Sequence, residues 1–335
     1  MMQRTWGWAI AIALVICWGC SASSTTTEGF STEFDRHLAQ AVPPLLKISP
    51  SPWHGSAPEV PAVDPDRLFD RVKALASERY TDRDRDRART YILQQLSQFG
   101  YDPVEQPFDG GTNIVAQRPG TDPDAGYLLV GAHYDTVLGA PGADDNASGV
   151  AGVLEIARLW RSRPTRGGLK IVLFDLEERG LQGSLAFTAN SENLTDLEGA
   201  IVLEMIGYAC YRPGCQYYPD RLPIAPPSDR GDFLAVVGDA EHPALLQAFE
   251  RSSPSEPAIV PLSVPLKGIL MPDLLRSDHA PFWYSGIGAV MVTDTANFRN
   301  PHYHQSSDTP DTLDRDFFSG AVQQVANAVA TLLDP

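Results

Sequence analysis

Residues 126–160 read GYLLVGAHYDTVLGAPGADDNASGVAGVLEIARLW. Tyr127–Gly131 is an apolar run that ends on a histidine and an acid, and a glycine-bounded acidic loop follows. Val150, Val153, Leu154, Ala157 and Trp160 then recur on one helical face, which predicts a helix over Ala147–Arg163. Beyond it, Leu169–Leu176 is almost continuously apolar, the pattern of a strand covered on both faces. Strand, helix and strand in this order form the repeating unit of a parallel α/β sheet.

Outward from this unit the alternation continues. Strands are expected at Thr112–Gln117, Gly126–His133, Ala200–Ile206, Phe233–Val237, Ala258–Val264 and Gly288–Thr293, and helices at Gln182–Ser191, His242–Ser252 and Leu313–Leu333. On the N-terminal side, Asp64-Pro65 is an N-cap and first-turn pair ahead of Leu68, Val72 and Leu75. A further helix is expected over Arg83–Phe99, with Gly100 suited to its C-terminal cap. The fold class is therefore α/β: one three-layer α/β/α domain with a mostly parallel mixed sheet and helices on both faces, spanning residues 64–335.

The first 63 residues read differently. Arg4 precedes the apolar run Trp6–Trp18, which is shorter than the roughly 18 residues of a spanning helix. Gly19-Cys20 and a Ser/Thr string follow, so residues 1–20 read as a signal peptide. The site is similar to that of bacterial lipoproteins, which implies lipidation of Cys20, although Cys17 stands where leucine is usual. Residues 21–63 are Ser/Thr- and Pro-rich, the composition of an extended tether. Across 335 residues, 26 Lys+Arg against 42 Asp+Glu give a net charge of −16, which excludes a nucleic-acid surface. Four cysteines do not make a disulfide scaffold. With an exported chain, a bond between Cys210 and Cys215 is one reading and two free thiols the other.

Chemistry-bearing side chains gather where strands end, the position at which α/β sheets place their sites. Four of the seven histidines, His133, His279, His302 and His304, fall in such segments. Imidazole and carboxylate supplied from separate loops suit a catalytic zinc site.

The ordered series Gly131-Ala132-His133-Tyr134-Asp135, Gly142–Gly149, Glu177-Glu178-Arg179-Gly180, Glu204–Tyr208, Ser277–Phe282 and His302-Tyr303-His304 resembles the di-zinc aminopeptidase family of bacterial leucyl aminopeptidase type, which is related to glutamate carboxypeptidase and glutaminyl cyclase. The resemblance implies a zinc exopeptidase-like fold and two Zn2+ per chain. In it, Asp144 bridges the ions, His133 and Glu204 complete one, and Glu178 and His304 the other. His304 is preferred to His302 because it immediately precedes the Ser-containing turn before Asp308-Thr309. Glu177 is implied as the general base. Asp135, two residues beyond His133, is placed to fix that imidazole's tautomer. Asp278 and His279 fall in the family's substrate-side loop, and Met205, Ile206, Tyr208 and Phe282 are candidates for the pocket wall. The family also implies a cis peptide at Asp144-Asp145. Two positions depart from the pattern. Glu204 stands where many relatives carry aspartate, and Leu270–Ser277 lacks the tyrosine that some relatives aim at the oxyanion, leaving Arg276 or a metal ion for that charge.

The expectation is a metallo-exopeptidase, an aminopeptidase that hydrolyses peptides with a free N-terminus through a metal-bound hydroxide. The rivals are a one-zinc glutaminyl cyclase-type transferase and a catalytically inactive binding relative. Its expected place is the exported bacterial cell envelope, facing the periplasm on an N-terminal lipid anchor, with secretion as the second choice.

Overall fold

The computed structural model describes residues 60–334 apart from 220, 221, 223 and 251–255. The expected signal peptide with Cys20, and the tether as far as residue 59, lie outside the described residues. The described residues belong to one compact unit. Where the expected tether ends, Val60 and Val63 pack on the core, and the Val63 amide donates to Gln323 Oε1 at 2.9 Å.

Among the described residues eight strands build a single sheet: β1 Val104–Phe108, β2 Gly111–Arg118, β3 Tyr127–His133, β4 Gly168–Phe174, β5 Leu197–Glu204, β6 Phe233–Asp239, β7 Ala258–Val264 and β8 Ala289–Thr293. Their order is β1-β2-β4-β3-β5-β8-β6-β7. The centre is parallel, with β3 between β4 and β5 and β8 beside β5, and β6 pairs with β7 in parallel. Antiparallel pairing joins β1 to β2, β2 to β4 and β6 to β8. The helices are α1 Pro65–Leu75, α2 Asp82–Gln98, α3 Gly149–Trp160, α4 Gln182–Ala189, α5 Ser191–Leu194, α6 Pro243–Gln247, α7 Ala280–Tyr284 and α8 Arg315–Leu333. None among the described residues is long and apolar enough to cross a membrane.

Strand alternation divides the core in two. Leu128, Val130, Leu169, Ile171, Ile201 and Leu203 face α1, α2, α3 and α8, while Leu129, Val172, Phe174 and Ala200 meet Phe187 of α4 and Phe282 and Trp283 of α7. Burying each such side chain is worth roughly 1.5–3 kcal/mol, so the two-sided burial of β3 and β4 pins their register. Both strands then deliver their C-terminal residues to the same edge.

Two elements differ from expectation. The strand Val104–Phe108 escapes the sequence pattern because Pro107 interrupts it, and an edge strand tolerates that residue. Of the helix expected over His242–Ser252, the described residues 242–250 are helical at Pro243–Gln247 alone.

Candidate metal centre

His133 is the last residue of β3, Glu204 the last of β5, and Glu177 and Glu178 begin the turn that follows β4. Between β3 and α3 the loop carries Asp144 and Asp145. His304 arrives from the segment after β8 with φ of 59°. Five separate chain segments thus meet at the C-terminal edge of the parallel strands, as this sheet topology favours.

Two groups of potential ligands form there, His133 with Glu177 and Glu204, and Asp145 with Glu178 and His304, each with its ligand atoms within 4.8 Å of one another. Asp145 links them. Its Oδ1 lies 3.3 Å from His133 Nε2 and its Oδ2 lies 3.1 Å from His304 Nε2. His304 Nε2 is also 3.1 Å from Glu178 Oε2, and His133 Nε2 is 3.5 Å from Glu204 Oε2. These are short separations without hydrogen-bond geometry: both His133 nitrogens, His304 Nε2, Asp145 Oδ1 and Glu178 Oε1 are buried with no hydrogen-bond partner. Buried polar atoms are rarely left unmatched. Imidazole and carboxylate atoms that converge on common points are the donor set of divalent zinc, so the residues present fit the metal that their types suggest.

The bridging place expected of Asp144 falls instead to Asp145. Asp144 is fully buried and turned elsewhere: Oδ1 accepts from the Gly207 amide at 2.9 Å and Oδ2 from Asn300 Nδ2 at 2.7 Å. Burial, reinforced by neighbouring Asp294, holds its pKa well above the usual carboxylate range. Asp145 is the reverse case, since burial acts upward but contact with His133 and His304 brings its pKa below normal. The cis peptide is likewise one residue further on, at Asp145-Asn146. Adjacent acids in the sequence conceal this choice, because either could open the loop.

A clamp unforeseen from the sequence fixes that loop. Asp308 accepts the amides of Asp144 and Asp145 at 2.9 and 3.1 Å. Arg79, 1% exposed, donates to the carbonyls of Tyr134, Pro141 and Gly142 at 2.8 Å each. Gly142 has φ of 62°, and a Cβ there would lie 2.2 Å from the Asp145 carbonyl oxygen, so glycine is required. Arg79 sits in no recognisable pattern, and Asp308 entered the sequence reading only as the marker of the turn after His304.

Asp135 approaches His133 Nδ1 to 3.4 Å without hydrogen-bond geometry. Its carboxylate accepts the amides of Glu177 and Glu178 at 3.0 and 3.3 Å, orienting the acid pair beside the imidazole. Burial is the main cause of the raised pKa of both glutamates, and Glu178 reaches about 7. Burial also lifts Asp278 to about 7, and its charge faces those of His133, Glu204 and Asp135. His279 does not join the site. It is fully buried, its Nε2 lies 2.9 Å from the Leu274 carbonyl, and its ring meets Trp283 edge-on. His302 bonds Ser307 Oγ through Nδ1 at 2.9 Å, away from the ligand groups.

Beside the ligand groups a cavity of about 110 Å³ opens, walled by Phe233, Ala235 and Val237 of β6, Leu262 of β7, Met291 of β8, and Tyr217, Leu222 and Phe298 from loops. Glu204, Arg276 and Tyr303 line both this cavity and the pocket over the ligand groups. The wall expected from Met205, Ile206, Tyr208 and Phe282 is not the one found. Met205, Ile206 and Phe282 are fully buried in the core, and Tyr208 turns its ring edge to His302. Cys210 and Cys215 are bonded, Sγ to Sγ, immediately before Gln216 and the Tyr217 wall.

Comparison with known proteins adds four findings. The model of Peptidase family M28 matches residues 113–330. YfbL of Escherichia coli (strain K12) is 34% identical over 305 residues, covering 84% of this chain and 92% of that protein. "Probable lipoprotein aminopeptidase LpqL" of Mycobacterium tuberculosis is 29% identical over 61% of this chain, which spans only 42% of that relative's length. Among solved structures, an aminopeptidase from Aneurinibacillus sp. strain AM-1 superposes with a TM-score of 0.63 at 16% identity, covering 82% of this chain and 95% of its own, a likeness of fold.

Proposed function

The chain belongs to peptidase family M28, and on that premise we propose that it is a zinc-dependent aminopeptidase that removes N-terminal residues with apolar side chains. The observation that carries the proposal is Asp145 set between His133 and His304, with Glu178 and Glu204 completing two groups of ligand atoms. His133, Asp145 and Glu204 would hold one ion, and Glu178, His304 and the second oxygen of Asp145 the other. Two bound divalent ions supply Lewis acidity and lower the pKa of the attacking water.

The chain's own residues then do the rest. Glu177, 8% exposed and grouped with His133 and Glu204, takes the proton as the water oxygen adds to the scissile carbonyl carbon. When the carbon–nitrogen bond breaks, the same carboxyl returns that proton to the leaving amine. Burial keeps Glu177 more basic than a surface glutamate, so it is suited to hold a proton between the two steps. The carboxylates around the pocket favour a substrate's free α-ammonium group. The apolar cavity next to Glu204 accepts its side chain. Two three-residue ligand groups including His133 favour this reading over the one-zinc transferase. The lipoprotein-type N-terminus, together with the relative LpqL, supports attachment to the outer face of a bacterial membrane through Cys20.

The test compares leucyl-p-nitroanilide with its N-acetylated form on zinc-loaded protein, alongside the Glu177→Gln variant. Hydrolysis of the free amine alone is expected, with loss of at least a hundredfold in kcat and unchanged zinc content in the variant. Equal cleavage of the blocked substrate would refute the exopeptidase assignment.

A further inference from the structure

Arg276 lines both the pocket over the ligand groups and the apolar cavity. It is the single arginine or lysine among the described residues that line the former, which is otherwise dominated by Asp145, Glu177, Glu178 and Glu204. Yet the guanidinium does not fold onto those carboxylates. Nη1 donates to Asn297 Oδ1 and Nη2 to Tyr303 Oη, each at 3.0 Å. Both partners are neutral, and the nearest acid on its own turn, Asp273, is 4.0 Å away. Tyr303 is itself fixed, its ring stacked on His304 with centroids 3.7 Å apart. The residue following Arg276, Ser277, donates from Oγ to Glu204 Oε2 at 2.7 Å. The guanidinium is therefore tied through its neighbours to one ligand from each group, and the side chain stays 45% exposed at the pocket.

A cation held this way, paired only at 4.0 Å with the half-exposed Asp273 and with N–H donors to spare, is built to meet an anion. Resting on the aminopeptidase reading, we propose that Arg276 contacts the scissile carbonyl oxygen and stabilises the negative charge that develops on it. As the water oxygen bonds to the carbonyl carbon, the π pair of the C=O bond moves onto that oxygen, which the guanidinium then faces. The pair returns when the carbon–nitrogen bond breaks and the amine leaves with the proton from Glu177. Such a contact strengthens only as charge appears, so it acts on kcat more than on KM.

The experiment uses the zinc-loaded full chain and its Arg276→Gln and Arg276→Lys variants. Zinc content and melting temperature should match the parent, because the side chain is at the surface. With leucyl-p-nitroanilide, kcat is expected to fall about a hundredfold in Arg276→Gln and less in Arg276→Lys, with KM within about threefold. Calorimetric affinity for a phosphonate analogue of a leucyl peptide, which carries the anion permanently, should weaken in parallel. An unchanged kcat with unchanged phosphonate affinity would overturn the proposal. So would a loss confined to short peptides with a free C-terminal carboxylate, which would make Arg276 an anchor for that group. A zinc-loaded parent that cleaves no aminoacyl anilide would instead refute the aminopeptidase reading, and the phosphonate titration would still test the anion contact.

Discussion

Asp144 and Asp145 share a loop, a side-chain type and deep burial, and they differ in what their carboxylates meet. Asp145 faces two imidazoles, whereas Asp144 faces an amide, the Asn300 side chain and Asp294. A group whose ionised form is disfavoured by burial beside another acid is the poorer ligand, and one whose ionised form is favoured by two histidines is the better. The two isosteric variants should therefore separate. Asp145→Asn is expected to lose at least one equivalent of zinc by atomic absorption, together with activity. Asp144→Asn mimics the protonated acid, so zinc stoichiometry should be retained at a stability cost of about 1–2 kcal/mol. Equal zinc loss in both would contradict the assignment of the bridge to Asp145.

At the scale of elements, the loop between β3 and α3 hangs on two side chains from distant parts of the chain. Arg79 holds it by carbonyls and Asp308 by amides, across sequence separations of 63 and 164 residues respectively. Removing either leaves buried backbone groups without partners, at about 1–3 kcal/mol for each group. Arg79→Met keeps the aliphatic stem but abandons several carbonyls, and Asp308→Ala abandons two amides. Urea unfolding should show Arg79→Met as the more destabilised, by about 3 kcal/mol or more, with Asp308→Ala losing about 2–4 kcal/mol. Zinc affinity should fall in both, because the loop carries Asp145. A variant of Arg79 as stable as the parent would remove the clamp from this account.

Across the whole molecule, the buried acids make stability depend on pH and metal. Burial lifts Asp278 and Asp308 to about 7 and Asp294 to about 6, all above their ordinary carboxylate values. A carboxyl with a raised folded pKa binds protons more tightly in the native state. The metal-free fold therefore loses stability as pH rises from about 4 toward 7. Added cations offset the same concentration of negative charge, and their binding releases protons, so they stabilise more at higher pH. Chelated protein is expected to melt lower at pH 8 than at pH 5.5. The gap between zinc-loaded and chelated protein should widen over that interval in scanning calorimetry. A chelated form that gains stability between those pH values would contradict the burial of these acids.

Local periodicity carried most of the architecture. The apolar runs of β3, β4 and β5 and the one-sided stripe of α3 declare a covered parallel sheet, because burial on two faces demands continuous apolar strands and burial on one face demands helical spacing. The ends of β3, β4 and β5 also marked the neighbourhood of His133, Glu177, Glu178 and Glu204, while the family resemblance joined these residues with His304 into one set. What local pattern does not encode is the path of an irregular loop. Tertiary contacts alone turned Asp145 rather than Asp144 toward both histidines, moved the cis peptide with it, drew Asp135 onto the Glu177 and Glu178 amides, and buried His279 against Trp283. They also recruited Arg79 and Asp308 from afar, because hydrogen-bonding a buried backbone requires partners wherever the chain happens to pass.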